Sequence, residues 1–154
     1  MKVTWKEMES ACRILYKKLP KNKYDGVVCI STGGLLPGKL LSELLDLPLA
    51  TVSSQRYLRG KEKPISTEHW YANTNLQWNK KPMITNLLLV DDIIEQGKTM
   101  QKVLSAMWTY TSAKSIDIAV LYYKTKSVTA DLSKCKIYKY KETDEWIKFP
   151  WELR

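Results

Sequence analysis

Two adjacent carboxylates at the end of an apolar run are the residues of this chain best placed to do chemistry. They stand in Leu87-Leu88-Leu89-Val90-Asp91-Asp92-Ile93-Ile94-Glu95-Gln96-Gly97-Lys98-Thr99-Met100. The four residues before Asp91 contain no turn former and predict a buried strand. After a short loop with one glycine, Met100, Val103, Leu104 and Met107 recur at the spacing of a helix face. Strand, acidic tip, glycine loop and helix start together suit an anion with a polyol or metal beside it. Backbone N–H groups of Gln96 to Thr99 can point at a phosphate, and the helix dipole favours negative charge there. Asp91 and Asp92 can accept hydrogen bonds from sugar hydroxyls or hold Mg²⁺, a hard cation that prefers oxygen. A sugar phosphate meets both demands. Gly97-Lys98-Thr99 does not end a nucleotide P-loop, because that motif needs glycine five residues before Gly97 and Asp92 stands there.

Ser31-Thr32-Gly33-Gly34-Leu35-Leu36-Pro37-Gly38 repeats the design of apolar run, glycine turn and helix. Paired glycines let backbone N–H groups approach a ligand without Cβ interference, although a plain tight turn accounts for the same residues. Lys124 follows the run from Ile118 to Tyr123 and so lies at a strand end. Ligands of open parallel sheets bind outside such ends; a lysine merely leaving the sheet is the alternative. Near the C-terminus, Glu145-Trp146-Ile147-Lys148-Phe149-Pro150-Trp151-Glu152 is rich in aromatics, which taken alone reads as packing.

On these residues the chain resembles the purine phosphoribosyltransferases, which use phosphoribosyl pyrophosphate (PRPP). The stretch from Asp91 to Thr99 is similar to their PRPP signature, where an acidic pair and two apolar residues precede Asp-Thr-Gly, a variable residue and Thr. Glu95 stands where the family has Asp, and Gln96 where it has Thr. The stretch from Ser31 to Gly38 resembles the pyrophosphate loop of the xanthine-guanine branch, Ser-Arg-Gly-Gly-Leu-x-Pro-Gly, with Thr32 replacing the basic residue. Arg56, Arg59, Lys61 or Lys63 can restore that charge, though each also reads as an ordinary surface cation. Trp146-Ile147 and Pro150-Trp151 resemble the Trp-Ile-x-x-Pro-Trp stretch that closes over the base, and Val3-Thr4-Trp5 is similar to that branch's beginning.

The resemblance implies roles. Asp91 and Asp92 hold the ribose hydroxyls and Mg²⁺; Glu95, Gln96, Gly97, Lys98 and Thr99 anchor the 5′-phosphate; Ser31, Thr32, Gly33 and Gly34 bind pyrophosphate. Glu95 takes the place of the carboxylate that accepts the purine N7 proton. Lys124 donates to the exocyclic O6 of a 6-oxopurine and disfavours adenine, since two donors cannot pair. Trp146 stacks on the purine, and the carbonyl of Ile147 reads its position-2 edge.

These residues need an alternating framework to position them. A capping box, Thr4-Trp5-Lys6-Glu7, opens a helix from Trp5 to Leu19 with Met8, Ala11, Cys12, Leu15 and Leu19 on one face. That opening is not the charged-then-apolar run of a signal peptide. Gly26 to Ile30 predicts a buried strand, and Leu36, Leu40, Leu41, Leu44 and Leu45 the next helix. Ala50 to Ser53 suggests a short strand, Ile116 to Tyr123 a strong one and Ile137 to Tyr140 a weaker one. The expected fold is α/β, a mainly parallel sheet flanked by helices with a small hood. Residues 1–154 form a single phosphoribosyltransferase domain, with a flap at 55–82 and a base-covering segment at 137–154. The flap region matches the family poorly; a stretch so long without periodicity is usually a functional flap or a misread hairpin.

Composition narrows the classes. One domain of 154 residues can bury a real core, and no run approaches the roughly 20 apolar residues of a membrane span. Cys12, Cys29 and Cys135 are odd in number and embedded in apolar patterns, as buried thiols of a reducing cytoplasm are. With His69 the only histidine, a His/Cys zinc site is not expected. The formal charge of +9 calls for a polyanionic partner, nucleic acid or a phosphate-rich small molecule. The reading is a cytoplasmic, Mg²⁺-dependent, homo-oligomeric (dimer or tetramer) enzyme of purine salvage, making a nucleoside monophosphate from PRPP and guanine, xanthine or hypoxanthine. It has no membrane partner and is not expected to bind nucleic acid. Two rivals stand beside it. One is a non-catalytic PRPP- or nucleotide-binding regulator that uses its basic surface for RNA. The other is a receiver-like interaction module, whose acidic pair belongs after the first strand and not after a later one.

Overall fold

The framework is a twisted sheet whose two central strands both end in a turn that feeds a helix. The structure, a computed structural model, describes residues 1–53, 57–58, 61–62, 70–72 and 84–153. In chain order the elements are α1 (Trp5–Lys18), β1 (Gly26–Ser31), α2 (Leu35–Leu45), β2 (Leu49–Ser53), β3 (Tyr57–Leu58), β4 (Lys61–Glu62), β5 (Trp70–Ala72), β6 (Asn86–Ile94), α3 (Lys98–Tyr110), β7 (Ser115–Tyr123) and β8 (Ile137–Glu142). The main sheet runs β5-β2-β1-β6-β7-β8. Every neighbouring pair is parallel except β2 with β5, which adds an antiparallel edge. From β1 the chain crosses through α2 to β2 on one side, and from β6 through α3 to β7 on the other. The tips of β1 and β6 therefore flank the point where the winding reverses, the usual ligand crevice of such sheets.

Strand alternation sorts the core into two layers. Leu88 and Val90 of β6 pack with α1, Leu41 of α2, Ile147 and Phe149. Leu87 and Leu89 face the opposite way, onto Met100, Val103, Leu104 and Met107 of α3. The face expected for α1 is the one it buries, and the capping box is formed: the Glu7 N–H donates to Thr4 Oγ1 at 3.2 Å and the Thr4 N–H to Glu7 Oε2 at 2.7 Å. Cys12, Cys29 and Cys135 are buried free thiols.

Helix α2 departs from the leucine stripe read in the sequence. Its buried residues are Pro37, Gly38, Leu41 and Ser42, while Leu36 is exposed and Leu40 and Leu45 are only partly buried. The reason is close approach. A Cβ on Gly38 would lie 2.5 Å from the Cβ of Cys29, so the helix approaches β1 at Gly38, with Leu41 fully buried beside it and Leu36, Leu40 and Leu45 on the shoulders.

The acidic pair also lies differently from the simple picture of a strand end. Strand β6 runs on past Asp91 and Asp92 to Ile94, paired with β7, whereas its pairing with β1 ends at Cys29↔Val90. The carboxylates thus lie where β1, still paired with β2 as far as Ser31, has parted from β6. At the other end, Asp25 accepts the N–H groups of Thr85 and Asn86, and Asp117 takes the Lys23 ammonium at 2.6 Å and the Tyr24 hydroxyl at 2.7 Å. Those ties fix the amino ends of the strands and leave the carboxyl ends to the site.

Within 55–82 the described elements are the β3–β4 hairpin and edge strand β5. Arg56, Arg59, Lys63 and His69 lie outside the described residues, and Lys61 falls on β4. Among the described residues no helix is long and apolar enough to cross a membrane. Removing the α1 cap should cost the fold about 1 kcal/mol: Thr4→Ala is expected to lower the urea midpoint by that equivalent without changing the m-value.

Candidate active site

Asp92 sits against the glycine turn that follows β1. A Cβ added to Gly33 would fall on the Asp92 carboxylate, and one on Gly34 would meet the carbonyls of Val90 and Ile30 at 2.6 and 2.7 Å. The turn from Ser31 to Gly34 and the acidic pair are therefore one unit, possible only without side chains at Gly33 and Gly34. The Gly34 N–H closes the turn on Ile30 O at 2.8 Å, and the Ser31–Thr32 peptide is cis. Ser31 Oγ points away from the crevice, donating to Val52 O at 3.3 Å, whereas Thr32 is exposed.

The acidic pair is electrostatically crowded. Asp91 Oδ1 accepts the Asp92 N–H at 2.9 Å. Burial, and then the charge of Asp92, push the Asp91 carboxyl well above the ordinary carboxylate range. Burial likewise raises Asp92, to about 6, with the Glu152 charge adding to the effect. Two carboxylates forced together in this way are relieved by a cation or by hydroxyl donors. Glu152 escaped the sequence reading; it lies 60 residues from Asp92 in the chain, and only the fold brings its charge into play.

After Ile94 the chain turns into α3. Gly97, at φ 78°, precedes the first helical residue in a left-handed conformation that favours glycine. Its missing side chain admits Ala130, whose Cβ would stand 2.9 Å from a Cβ at Gly97. The Gln96 carbonyl accepts from Thr129 and Ala130 N–H, both at 3.2 Å, and so ties the loop to the chain after β7. No side chain caps the start of α3, whose first N–H groups have no intrahelical partner by construction. The residues from Asp91 to Met100 line a concavity of about 200 Å³. That is an anion cradle of backbone donors with Lys98 and Thr99 at its rim.

Lys124 completes the arrangement. Its N–H donates to Ile94 O at 2.9 Å, and its ammonium is paired with Glu95 Oε1 at 2.8 Å. Lys124 is 6 % exposed, so that carboxylate is what keeps the buried charge compensated. The same ammonium lies 5.7 Å from the ring centroid of Trp146, which is 76 % exposed. Ile147 has its side chain in the core. The structure thus brings Asp91, Asp92, Gly33 and Gly34 together on one side, and Glu95, Lys124 and Trp146 on the other, with the cradle between. Chemically, this offers an oxygen-rich pocket, a phosphate seat, and a charged pair beside an open aromatic face.

Similarity to known proteins fixes the family. Residues 4–154 match the phosphoribosyl transferase domain model. The xanthine-guanine phosphoribosyltransferase of Idiomarina loihiensis is 26 % identical over 98 % of this chain and 86 % of its own length. The hypoxanthine/guanine phosphoribosyltransferase of Methanopyrus kandleri is 32 % identical over 64 % of the chain and 52 % of its own length. Among solved structures, the purine phosphoribosyltransferase of Pyrococcus horikoshii superposes with a TM-score of 0.77 at 28 % identity, covering 100 % of this chain and 95 % of that one. The chain belongs to the phosphoribosyl transferase family. It is a phosphoribosyltransferase on that family's parallel α/β fold.

The crowded carboxylates have a measurable consequence for the ligand-free protein. Groups whose folded pKa is raised stabilise the fold while protonated, and that stability is lost as pH rises from the ordinary carboxylate range through about 6. Asp92→Asn is therefore expected to raise the melting temperature at pH 7 by about 2–4 °C or more and to flatten its decline between pH 4 and 7, as read by calorimetry.

Proposed function

We propose that the protein transfers 5-phosphoribose from PRPP to a 6-oxopurine (guanine, xanthine or hypoxanthine), releasing pyrophosphate and forming a nucleoside monophosphate in purine salvage. The observation that carries this reading is the Lys124–Glu95 pair under Trp146, at the rim of the phosphate cradle. A 6-oxopurine presents O6 and N7–H side by side on one edge. An ammonium and a carboxylate in mutual contact match that edge, donor to O6 and acceptor to N7–H. Adenine would set its amino group against the ammonium. The names of the relatives point to the same substrates.

The chemistry follows from position. The ribose–pyrophosphate bond breaks toward an oxocarbenium-like sugar, while the purine ring nitrogen attacks from the side of Trp146. Backbone N–H groups of the cradle, with Thr99 and Lys98, hold the 5′-phosphate and with it the sugar's orientation. Glu95 takes the N7 proton as the glycosidic bond forms. The turn from Ser31 to Gly34 offers backbone donors to the departing pyrophosphate, with residues of 55–82 supplying the cation that Thr32 does not. Asp91 and Asp92, an all-oxygen donor set, accept the ribose hydroxyls and are the residues that would hold Mg²⁺. When bound, the ion supplies Lewis-acid stabilisation of the leaving group, and phosphoribosyltransferases generally depend on it. Residues 55–82 act as a flap that excludes water, the segment at 137–154 covers the base, and the carbonyl of Ile147 reads position 2. The +9 charge is met by polyanionic PRPP without nucleic acid. The protein works in the cytoplasm as a homo-oligomer.

A panel of guanine, xanthine, hypoxanthine and adenine with PRPP and Mg²⁺ tests the reading by nucleotide formation. The 6-oxopurines should react and adenine should not. PRPP binding without turnover of any purine would make the protein a regulator instead. Within the active enzyme, Glu95→Gln is expected to lower kcat by about 10²–10⁴ with PRPP affinity nearly unchanged. An equally fast variant would deprive Glu95 of its role as base.

A further inference from the structure

Resting on the base pocket proposed above, we propose that Asp144 is a positioning residue that sets the separation between Lys124 and Trp146. These two side chains come from different parts of the chain. Lys124 follows β7, and Trp146 follows β8, after the two strands have separated. Their sheet pairing ends at Tyr123↔Glu142, with one further bond from the Thr143 N–H to Tyr123 O at 3.1 Å. Beyond that point the connection passes through Asp144. Its Oδ1 accepts the Lys126 N–H at 3.1 Å and its Oδ2 the Thr125 hydroxyl at 3.3 Å, with the Lys126 ammonium 3.9 Å away. One carboxylate therefore fastens the two residues that follow Lys124 to the residue two before Trp146.

The segment beyond the clasp is held as well. The Glu145 N–H donates to Thr143 Oγ1 at 3.2 Å, which turns the chain toward Trp146. The Ile147 side chain is anchored in the core, and the Phe149 and Trp151 rings stack at 4.7 Å. The N-terminus holds the same segment from the other side: the Met1 ammonium donates to Trp146 O at 2.5 Å and the Lys148 N–H to Met1 O at 2.9 Å. None of these bonds reaches the residues around Lys124, so the tie between Trp146 and the segment that carries Lys124 runs through Asp144. The gap between Trp146 and the Lys124 ammonium must admit a purine ring with its O6 on Lys124. A stacked aromatic gains its full contact only at ring van der Waals distance, so an error of an ångström in the gap weakens both interactions with the base. Asp144 bonds to Thr125 and Lys126, whereas the same loop meets the cradle further on, through Thr129 and Ala130. A clasp at Thr125 and Lys126 therefore acts on the base more than on PRPP.

The test is steady-state kinetics on Asp144→Ala and Asp144→Asn beside the wild type, with guanine and PRPP varied separately and the melting temperature measured for each. Asp144→Ala should raise the KM for guanine about five- to tenfold while the KM for PRPP stays within about twofold, the loss expected for one net intramolecular hydrogen bond. Asp144→Asn keeps a side-chain oxygen for the Lys126 N–H and should recover most of the guanine KM. A merely structural role would move both KM values, or only the melting temperature. An unchanged guanine KM in Asp144→Ala, parallel rises in both KM values, or an Asn variant as impaired as Ala would each overturn the proposal while leaving the purine reading intact. A wild type that turns over no purine would overturn both. Should Asp144→Ala not fold, Asp144→Ser, too short to reach the Lys126 N–H, takes its place with the same expected split.

Discussion

A buried ammonium cannot stay charged without a partner, and the arrangement of this site follows from how Lys124 finds one. The lysine is nearly sealed from solvent, and Glu95 at 2.8 Å supplies the compensating charge. Removing Glu95, itself half exposed, leaves the Lys124 ammonium without its counter-charge in a poorly solvated place. The pair is bound to the fold through backbone as well: Lys124 N–H donates to Ile94 O, one residue before Glu95. In the empty protein, therefore, the residue read as the proton acceptor is already ordered by the residue read as the O6 donor. A ligand whose edge carries an acceptor beside a donor can replace the direct pairing and leave both charges satisfied. Base binding then costs little electrostatically, and a base with the opposite pattern meets two mismatches at once.

The second constraint is steric. Because β1 pairs with β6 only as far as Cys29↔Val90, the two chains diverge where Asp91 and Asp92 begin, and the glycine turn folds back across the gap. Glycine at 33 lets the turn after β1 touch Asp92; glycine at 97 lets the loop after β7 press on the turn before α3. Burial raises both carboxyls of the acidic pair, with the charge of Asp92 adding at Asp91 and that of Glu152 at Asp92. The glycine turn, the acidic pair and the loop into α3 are in this way mechanically contiguous.

Much of this was legible in residue order. The strand, acidic pair, glycine and amphipathic helix between Leu87 and Met107 are local signals, and the structure forms each of them. The capping box at Thr4 is equally local and equally present. What the pattern misplaced is the buried face of α2. A leucine stripe normally marks the core, but of that stripe only Leu41 is fully buried; close packing on Cys29 turns the face toward Pro37, Gly38 and Ser42, and hydrophobicity carries no information about that spacing. The ion pair between Glu95 and Lys124, the reach of Glu152 to Asp92 and the clasp at Asp144 join residues 18 to 60 positions apart. Such contacts depend on the tilt and register of β6, β7 and β8, which no window of sequence encodes. Glu95 is readable as a letter; its contact with Lys124 is not.

The central claim is that Glu95 and Lys124 act on the base as one unit, and a double-mutant cycle measures that directly. With Glu95→Gln, Lys124→Met and the double variant, kcat/KM for guanine gives the coupling between the two side chains. The account predicts strong non-additivity, the double variant being little worse than the poorer single one, with a coupling of about 1 kcal/mol or more. Losses that add within about 0.5 kcal/mol would show two independent side chains and contradict it.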